Sequence, residues 1–279
     1  MRLVTIRQGD TEEAAVVLSD GVAPVREVYW PSREGADLLS LLQSGRFYEL
    51  KEAYDRGEVR GGVSSQHSSY APLYRHPRKI WGIGLNYVEH AGDLQERAPS
   101  EEPASFMRPD TTIIGPGDEV VLPAQSERVT AEAELALIIG REAKDVPEED
   151  APSVVAGFTT VLDMTAEDIL RRNPRYLTRA KSFDTFFSFG PELVTPDEIA
   201  GVEALEVSTV LNGEVRRINT VSNMTFSPWW LVSFHSRAMT LLPGDVISTG
   251  TPGAVVIQDG DVAECRITGL EPLSNPVIR

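Results

Sequence analysis

A β-rich α+β fold is the class this sequence predicts, on three observations. In residues 130–140 (TAEAELALIIG), Ala133, Leu135, Leu137 and Ile139 alternate with Glu132, Glu134, Ala136 and Ile138, the two-residue period of a strand. Residues 154–163 (VVAGFTTVLD) are apolar and β-branched, then give way to a helical-looking stretch at 165–173. From Ile80 onward, short apolar runs are punctuated by turn signals, Gly-Pro-Gly-Asp at 115–118 and Pro-Gly-Asp at 243–245. Neither a βαβ alternation nor an internal repeat is visible.

Taken in order, residues 1–30 read as short strands with a turn at Ser19-Asp20-Gly21. Residues 36–45 (ADLLSLLQSG) carry a helical pattern, and 47–58 (FYELKEAYDRGE) a second. Residues 61–78 are rich in Ser, Gly and Pro, which predicts a linker. A small N-terminal region over 1–75 and a larger domain over 76–279 are therefore expected. Thr165 and Asp168 have the spacing of a capping box at the start of the helix that follows Asp163. His235 falls on an apolar helical segment, 229–239, as a core or interface histidine, and His67 and His76 read as loop residues.

Composition narrows the function classes. The single cysteine, Cys265, excludes an intrachain disulfide and a cysteine-based metal site. A net charge of −16 argues against binding a nucleic-acid backbone. No apolar stretch is long enough to span a membrane, and the Met-Arg-Leu-Val-Thr start lacks a signal-peptide apolar region. The expectation is a cytoplasmic protein with no membrane or nucleic-acid partner.

Glu132 and Glu134 point the same way from an otherwise apolar strand, roughly 7 Å apart. Two such carboxylates repel each other and resist burial. A hard divalent cation, Mg²⁺ or Ca²⁺, would resolve the conflict through oxygen ligands. Read alone, the pair also fits the solvated face of an amphipathic strand. Asp163 ends the next strand just before a helix, where rigid neighbours can hold a ligand. Lys181 stands in an apolar-aromatic stretch, 179–186 (RAKSFDTF), in a chain with four lysines against twenty-two arginines. That usage points to a need for a compact ammonium there, although a surface lysine is the plainer reading. His90 and Asp93 are three residues apart, so on one helical turn the carboxylate could orient the imidazole as a base.

Seven ordered blocks carry a resemblance: 79–94 (KIWGIGLNYVEHAGDL), 106–123, Glu132-Ala133-Glu134-Leu135, the strand ending at Asp163, 181–195 (KSFDTFFSFGPELVT), 211–217 (LNGEVRR) and 239–255 (MTLLPGDVISTGTPGAV). Together, over about 76–279, they resemble the fumarylacetoacetate hydrolase family. The resemblance implies a mixed, mostly β sandwich-like roll with a few helices, and a homodimer. It implies that Glu132, Glu134 and Asp163 ligate Mg²⁺, with Mn²⁺ or Ca²⁺ as alternatives, and that Lys181 holds substrate oxygens. His90, oriented by Asp93, would activate water, and Arg108, Gly250 and Thr251 would bind substrate. The implied reaction is hydrolysis of a C–C bond in a small 2,4-dioxo acid of the acylpyruvate or fumarylpyruvate type. Decarboxylation of oxaloacetate-like acids, isomerisation of 2-hydroxyhepta-2,4-diene-1,7-dioate and a catalytically silent binding role are the alternatives. Three positions depart from the family pattern: Asp93 stands where Glu is usual, Glu167 where many relatives carry Arg, and Arg108 where many carry Lys.

Overall fold

The computed structural model describes residues 1–9, 11–19, 21–29, 37–60, 69–88 and 99–279. Nineteen strands are described, built around a long central sheet. They are β1 Arg2–Gln8, β2 Thr11–Leu18, β3 Gly21–Pro24, β4 Ile80–Gly84, β5 Ala104–Arg108, β6 Ile113–Ile114, β7 Val120–Val121, β8 Val129–Ala131, β9 Ala133–Ile139 and β10 Val155–Asp163. The chain continues through β11 Thr165–Ala166, β12 Phe187–Phe189, β13 Glu192–Val194, β14 Glu206–Leu211, β15 Glu214–Thr220, β16 Val246–Ser248, β17 Val255–Ile257, β18 Val262–Ile267 and β19 Leu273–Ile278. The architecture is α+β and mostly β, in line with the sequence reading.

The central sheet has eleven strands, with main order β3-β2-β1-β13-β10-β9-β16-β4-β5. A second sheet runs β15-β14-β18-β19-β7, and a third, β11-β8-β17, is small. At the middle of the large sheet, β9 and β10 are antiparallel, pairing Leu137 with Phe158 and Leu135 with Thr160. A bulge between Val155 and Gly157 offsets their register. A Cβ at Gly157 would come within 2.4 Å of the Val194 carbonyl oxygen, so only glycine admits β13 there.

Both central strands are buried along their whole length. Leu135, Leu137 and Ile139 join the larger apolar core, together with Ala263, Cys265 and Ile267 of β18. Ala136 and Ile138, on the opposite face, join a second core with the helices Leu38–Gln43 and Arg46–Asp55 and with Leu3 of β1. The alternation read in the sequence is therefore between two apolar cores, because Ala136 and Ile138 continue the face on which Glu134 stands.

The N-terminal strands are continuous with the same sheet, since Arg2 and Leu3 pair with Val194 and Leu193. Both predicted helices form, the first capped by the Asp37 carboxylate on the Ser40 amide at 2.9 Å. Residues 61–68 of the expected linker lie outside the described residues. Its second half is packed: Ala71, Leu73 and Tyr74 are buried, and the Ala71 amide donates to the Thr5 carbonyl at 2.8 Å. No helix among the described residues is long and apolar enough to cross a membrane.

The capping box does not form. The helix begins at Glu167, with Ala166 as its cap residue. The Thr165 hydroxyl donates instead to Glu132 Oε1 at 2.8 Å. Asp168 accepts from Ser126 Oγ and pairs with Arg172 at 3.1 Å. Each bond a buried carboxylate accepts lowers the cost of its burial, and a helix-end amide can turn to other acceptors, so the tertiary bond takes the hydroxyl.

Candidate active site

The chain changes sheets at Glu132. It leaves β8 of the small sheet, passes one residue, and enters β9 of the large one. Glu132 therefore sits at the seam, Glu134 is the second residue of β9, and Asp163 ends the neighbouring β10, its amide donating to the Glu132 carbonyl at 2.9 Å. One carboxylate oxygen from each of the three acids lies within 4.8 Å of the others, and all three residues are buried.

The cluster is held by hydroxyls and cations. Lys181, at the end of the helix Leu177–Lys181, places Nζ 3.0 Å from Glu132 Oε2 and 2.9 Å from Asp163 Oδ2. Thr130 and Thr165 hydroxyls donate to Glu132 Oε1 at 3.2 and 2.8 Å. Glu134 Oε2 accepts from the Ser248 hydroxyl and from the Gly250 amide at 3.0 Å. Gly250 has φ +97°, and a Cβ there would meet Asn86 Cβ at 2.9 Å. This close approach is what aims its N–H at the acid.

Burial, reinforced by the Asp163 charge, pushes the Glu134 carboxyl up to about 8. Burial lowers the Lys181 ammonium, but Asp163 and Glu132 outweigh it and hold it above its ordinary range. Three carboxyl groups thus share two cations, Lys181 and Arg108, and Glu134, raised to about 8, keeps its proton near neutral pH when no ion is bound. An all-oxygen donor set of three clustered carboxyl groups, one of which would release its proton to an ion, fits a hard divalent cation and can hold one.

Other sequence candidates fall in different places. Arg108 lies behind Asp163 and is buried, its guanidinium donating to Asp163 Oδ1 and to the carbonyls of Lys181 and Phe186, the last at 2.9 Å. It braces a site acid and is not among the residues that line the cavity over the acids. Gly250 likewise acts through Glu134, whereas Thr251 lines that cavity. His90 and Asp93 lie outside the described residues. Just before them, Asn86 is tied to the Thr249 carbonyl at 2.8 Å and to both backbone groups of Phe226. Glu167 lines the cavity too, paired with Arg128 and with Arg171 at 2.9 Å.

Sequence reasoning missed Thr130, Thr165, Ser248 and Arg171. The one available signal was small hydroxyl residues at strand ends next to the acids and the glycine loop. Cys265 is no nucleophile: burial pushes its thiol up to about 12. His235 is a buried core residue of the helix Pro228–Ala238, lowered to about 4 by burial.

The cavity measures about 760 Å³. Ile83, Leu85, Leu170 and Leu177 make apolar walls over the floor of Glu132, Glu134 and Lys181. Such a space suits a small molecule whose polar head meets a few fixed charged groups.

Residues 79–278 match the family model described as fumarylacetoacetate (FAA) hydrolase C-terminal. The human protein named oxaloacetate tautomerase FAHD2A, mitochondrial, is 39% identical over 223 residues, covering 77% of this chain and 70% of its own. The solved 5-carboxymethyl-2-hydroxymuconate delta-isomerase from Mycobacterium smegmatis is similar at TM-score 0.76 and 31% identity, covering 100% of this chain and 99% of the other. A maleylpyruvate hydrolase from Sphingobium sp. SYK-6, solved with manganese(II) and pyruvate, is similar at TM-score 0.79 and 27% identity, over 100% and 99% of the two chains.

Proposed function

The chain belongs to the fumarylacetoacetate hydrolase family, and from that premise we propose that it is a divalent-metal enzyme moving a proton between carbon and oxygen of a small 2-oxo acid. The reading rests on one observation: three clustered buried carboxyl groups, two of them paired with the Lys181 ammonium, beside a cavity that Glu132, Glu134 and Lys181 line. Glu132, Glu134 and Asp163 would hold the ion, Mg²⁺ first and Mn²⁺ or Ca²⁺ as alternatives. When bound, such an ion polarises the 2-oxo group as a Lewis acid.

Lys181 keeps its proton here, so it serves as a fixed positive donor to the substrate oxygen and not as a base. As a proton leaves C3, the C–H electron pair moves toward the C2 oxygen. The ammonium faces the charge that develops there. Protonation of that oxygen gives the enol, and protonation at C3 reverses the reaction. The group that accepts the C3 proton is assigned to His90, with Asp93 orienting it. The Thr251 hydroxyl, on the cavity wall, would contact the substrate carboxylate.

Oxaloacetate tautomerisation is the first reading, supported by 39% identity to a protein of that name. Hydrolysis of an acylpyruvate is the second, supported by likeness to a maleylpyruvate hydrolase. Both pass through the same enolate, and hydrolysis adds attack of water on the distal carbonyl. The experiment is a panel run with and without Mg²⁺: oxaloacetate enol–keto exchange, oxaloacetate decarboxylation, acylpyruvate cleavage and isomerisation of a hydroxymuconate-type dioate. Fast, Mg²⁺-dependent exchange with slow cleavage supports the tautomerase. Fast cleavage that is lost in His90→Ala replaces it with the hydrolase. Silence on all four substrates sinks the enzymatic reading. A homodimer is part of the proposal, and a monomeric mass in sedimentation equilibrium would overturn that part.

A further inference from the structure

The cavity has a second charged feature besides the carboxylate cluster. Glu167 is buried, yet it holds two guanidinium groups, Arg128 on Oε2 and Arg171 on Oε1 at 2.9 Å. Two cations on one carboxylate leave a formal charge of +1. Arg171 and Glu167 line the cavity, and Arg128 does not. Leu170, Pro174 and Leu177, from the same short helical stretch, put apolar wall beside them.

The two arginines are not equivalent. Arg171 is one turn beyond Glu167 on the same helix, with a side chain 61% exposed. It can leave its partner without opening any packing. Arg128 comes from the other side, with its own side chain 43% exposed. Stripping a buried carboxylate of its only cation is costly. Here Glu167 would keep Arg128 if Arg171 turned away, so that cost is largely avoided.

We infer that Arg171 is a specificity-determining residue: it turns from Glu167 to take the second carboxylate of a 2-oxo dicarboxylate whose 2-oxo end lies on the acid cluster. This rests on the 2-oxo acid reading above and narrows it to dianionic substrates. The planar guanidinium suits a carboxylate, with two parallel N–H donors. Arg128 is then a positioning residue, acting through Glu167.

The test uses the Mg²⁺-loaded protein, with oxaloacetate as the two-carboxylate probe and pyruvate as the one-carboxylate probe. Arg171→Gln should raise KM for oxaloacetate roughly 10- to 100-fold, the loss expected for a hydrogen bond to a charged group. It should leave kcat and the calorimetric Kd for pyruvate as in the native protein. Arg171→Lys should recover part of the affinity. Arg128→Gln should also raise KM for oxaloacetate, because Glu167 would then have only Arg171 to hold it. An unchanged KM in Arg171→Gln overturns the inference and leaves the 2-oxo acid reading standing. So does an equal loss for pyruvate, which would place Arg171 at the other end of the substrate or in the fold. A native protein that binds neither probe ends both.

Discussion

The short strand Val246–Ser248 has a buried ion pair at one end and the acid cluster at the other, and the two ends are built on different rules. At its start, Asp245 meets Lys79 Nζ at 2.6 Å and accepts the Leu242 amide at 2.7 Å. One cation meets one anion where β16 runs parallel to β4. At its finish, Ser248 bonds Glu134 in a cluster with more carboxylates than cations. Balanced charge closes a joint between two strands. A third carboxyl group with no cation of its own, buried beside a cavity, is a standing cost that a divalent ion would relieve. Lys79 and Lys181, two of the four lysines, therefore have opposite meanings.

Substitutions test that contrast. The largest effect is expected from Asp163→Asn, which takes a ligand from the cluster, leaves Arg108 without its carboxylate and leaves Lys181 with Glu132 alone. Bound divalent ion and nearly all activity should go together, as read by elemental analysis and turnover. Full metal occupancy in this variant would mean that the acids do not form one ion site. Next, Lys181→Met should cut turnover on the order of 10²- to 10³-fold, the scale for losing one fixed donor to developing negative charge. Metal content should stay near native, and native turnover would reduce Lys181 to a second Lys79.

Lys79→Met should do the reverse, lowering stability by about 3 kcal/mol through the stranded Asp245 while kcat holds. Urea unfolding and turnover on the same preparation separate the two outcomes. The last test concerns pH in the metal-free protein. Glu134 has a folded value of about 8 against an ordinary 4.5. Its proton is thus kept by the folded state and lost by the unfolded one between these values. Stability is full below about pH 4.5 and falls as pH rises toward 8, by at most about 1.4 kcal/mol per pH unit. Glu134→Gln should flatten that slope, and so should saturating Mg²⁺. A slope unchanged by either would assign it to other groups.

The three acids were legible because each is a local anomaly, a carboxylate inside or at the end of an apolar strand. Lys181 stood out because lysine is scarce here, but only the resemblance raised it above an ordinary surface lysine. What brings them together was not legible, because Ser248 and Gly250 reach Glu134 from 114 and 116 residues away. Arg108 was read as a substrate contact because charge alone does not say which side of Asp163 it approaches. Thr165 was read as a helix cap because the competing acceptor, Glu132, is 33 residues distant. The α+β class followed from turn spacing and strand period. The burial of β9 on both faces did not, since that depends on helices from residues 38–55 packing across the sheet.

The passage of the chain from one sheet to another at Glu132 also governs when this site can exist during synthesis. Glu132 and Glu134 emerge from the ribosome long before Ser248 and Gly250. The strand bearing Ser248 must slot between β9 and β4 before Glu134 has its partners. Contacts so distant along the chain form late, after the cost of closing long loops has been met. A nascent chain that ends before residue 250 lacks a finished ion pocket, however many of its acids are already made. A divalent cation held by these acids would therefore act only after residues 248–250 have joined β9, late in the assembly of this site and not at its start.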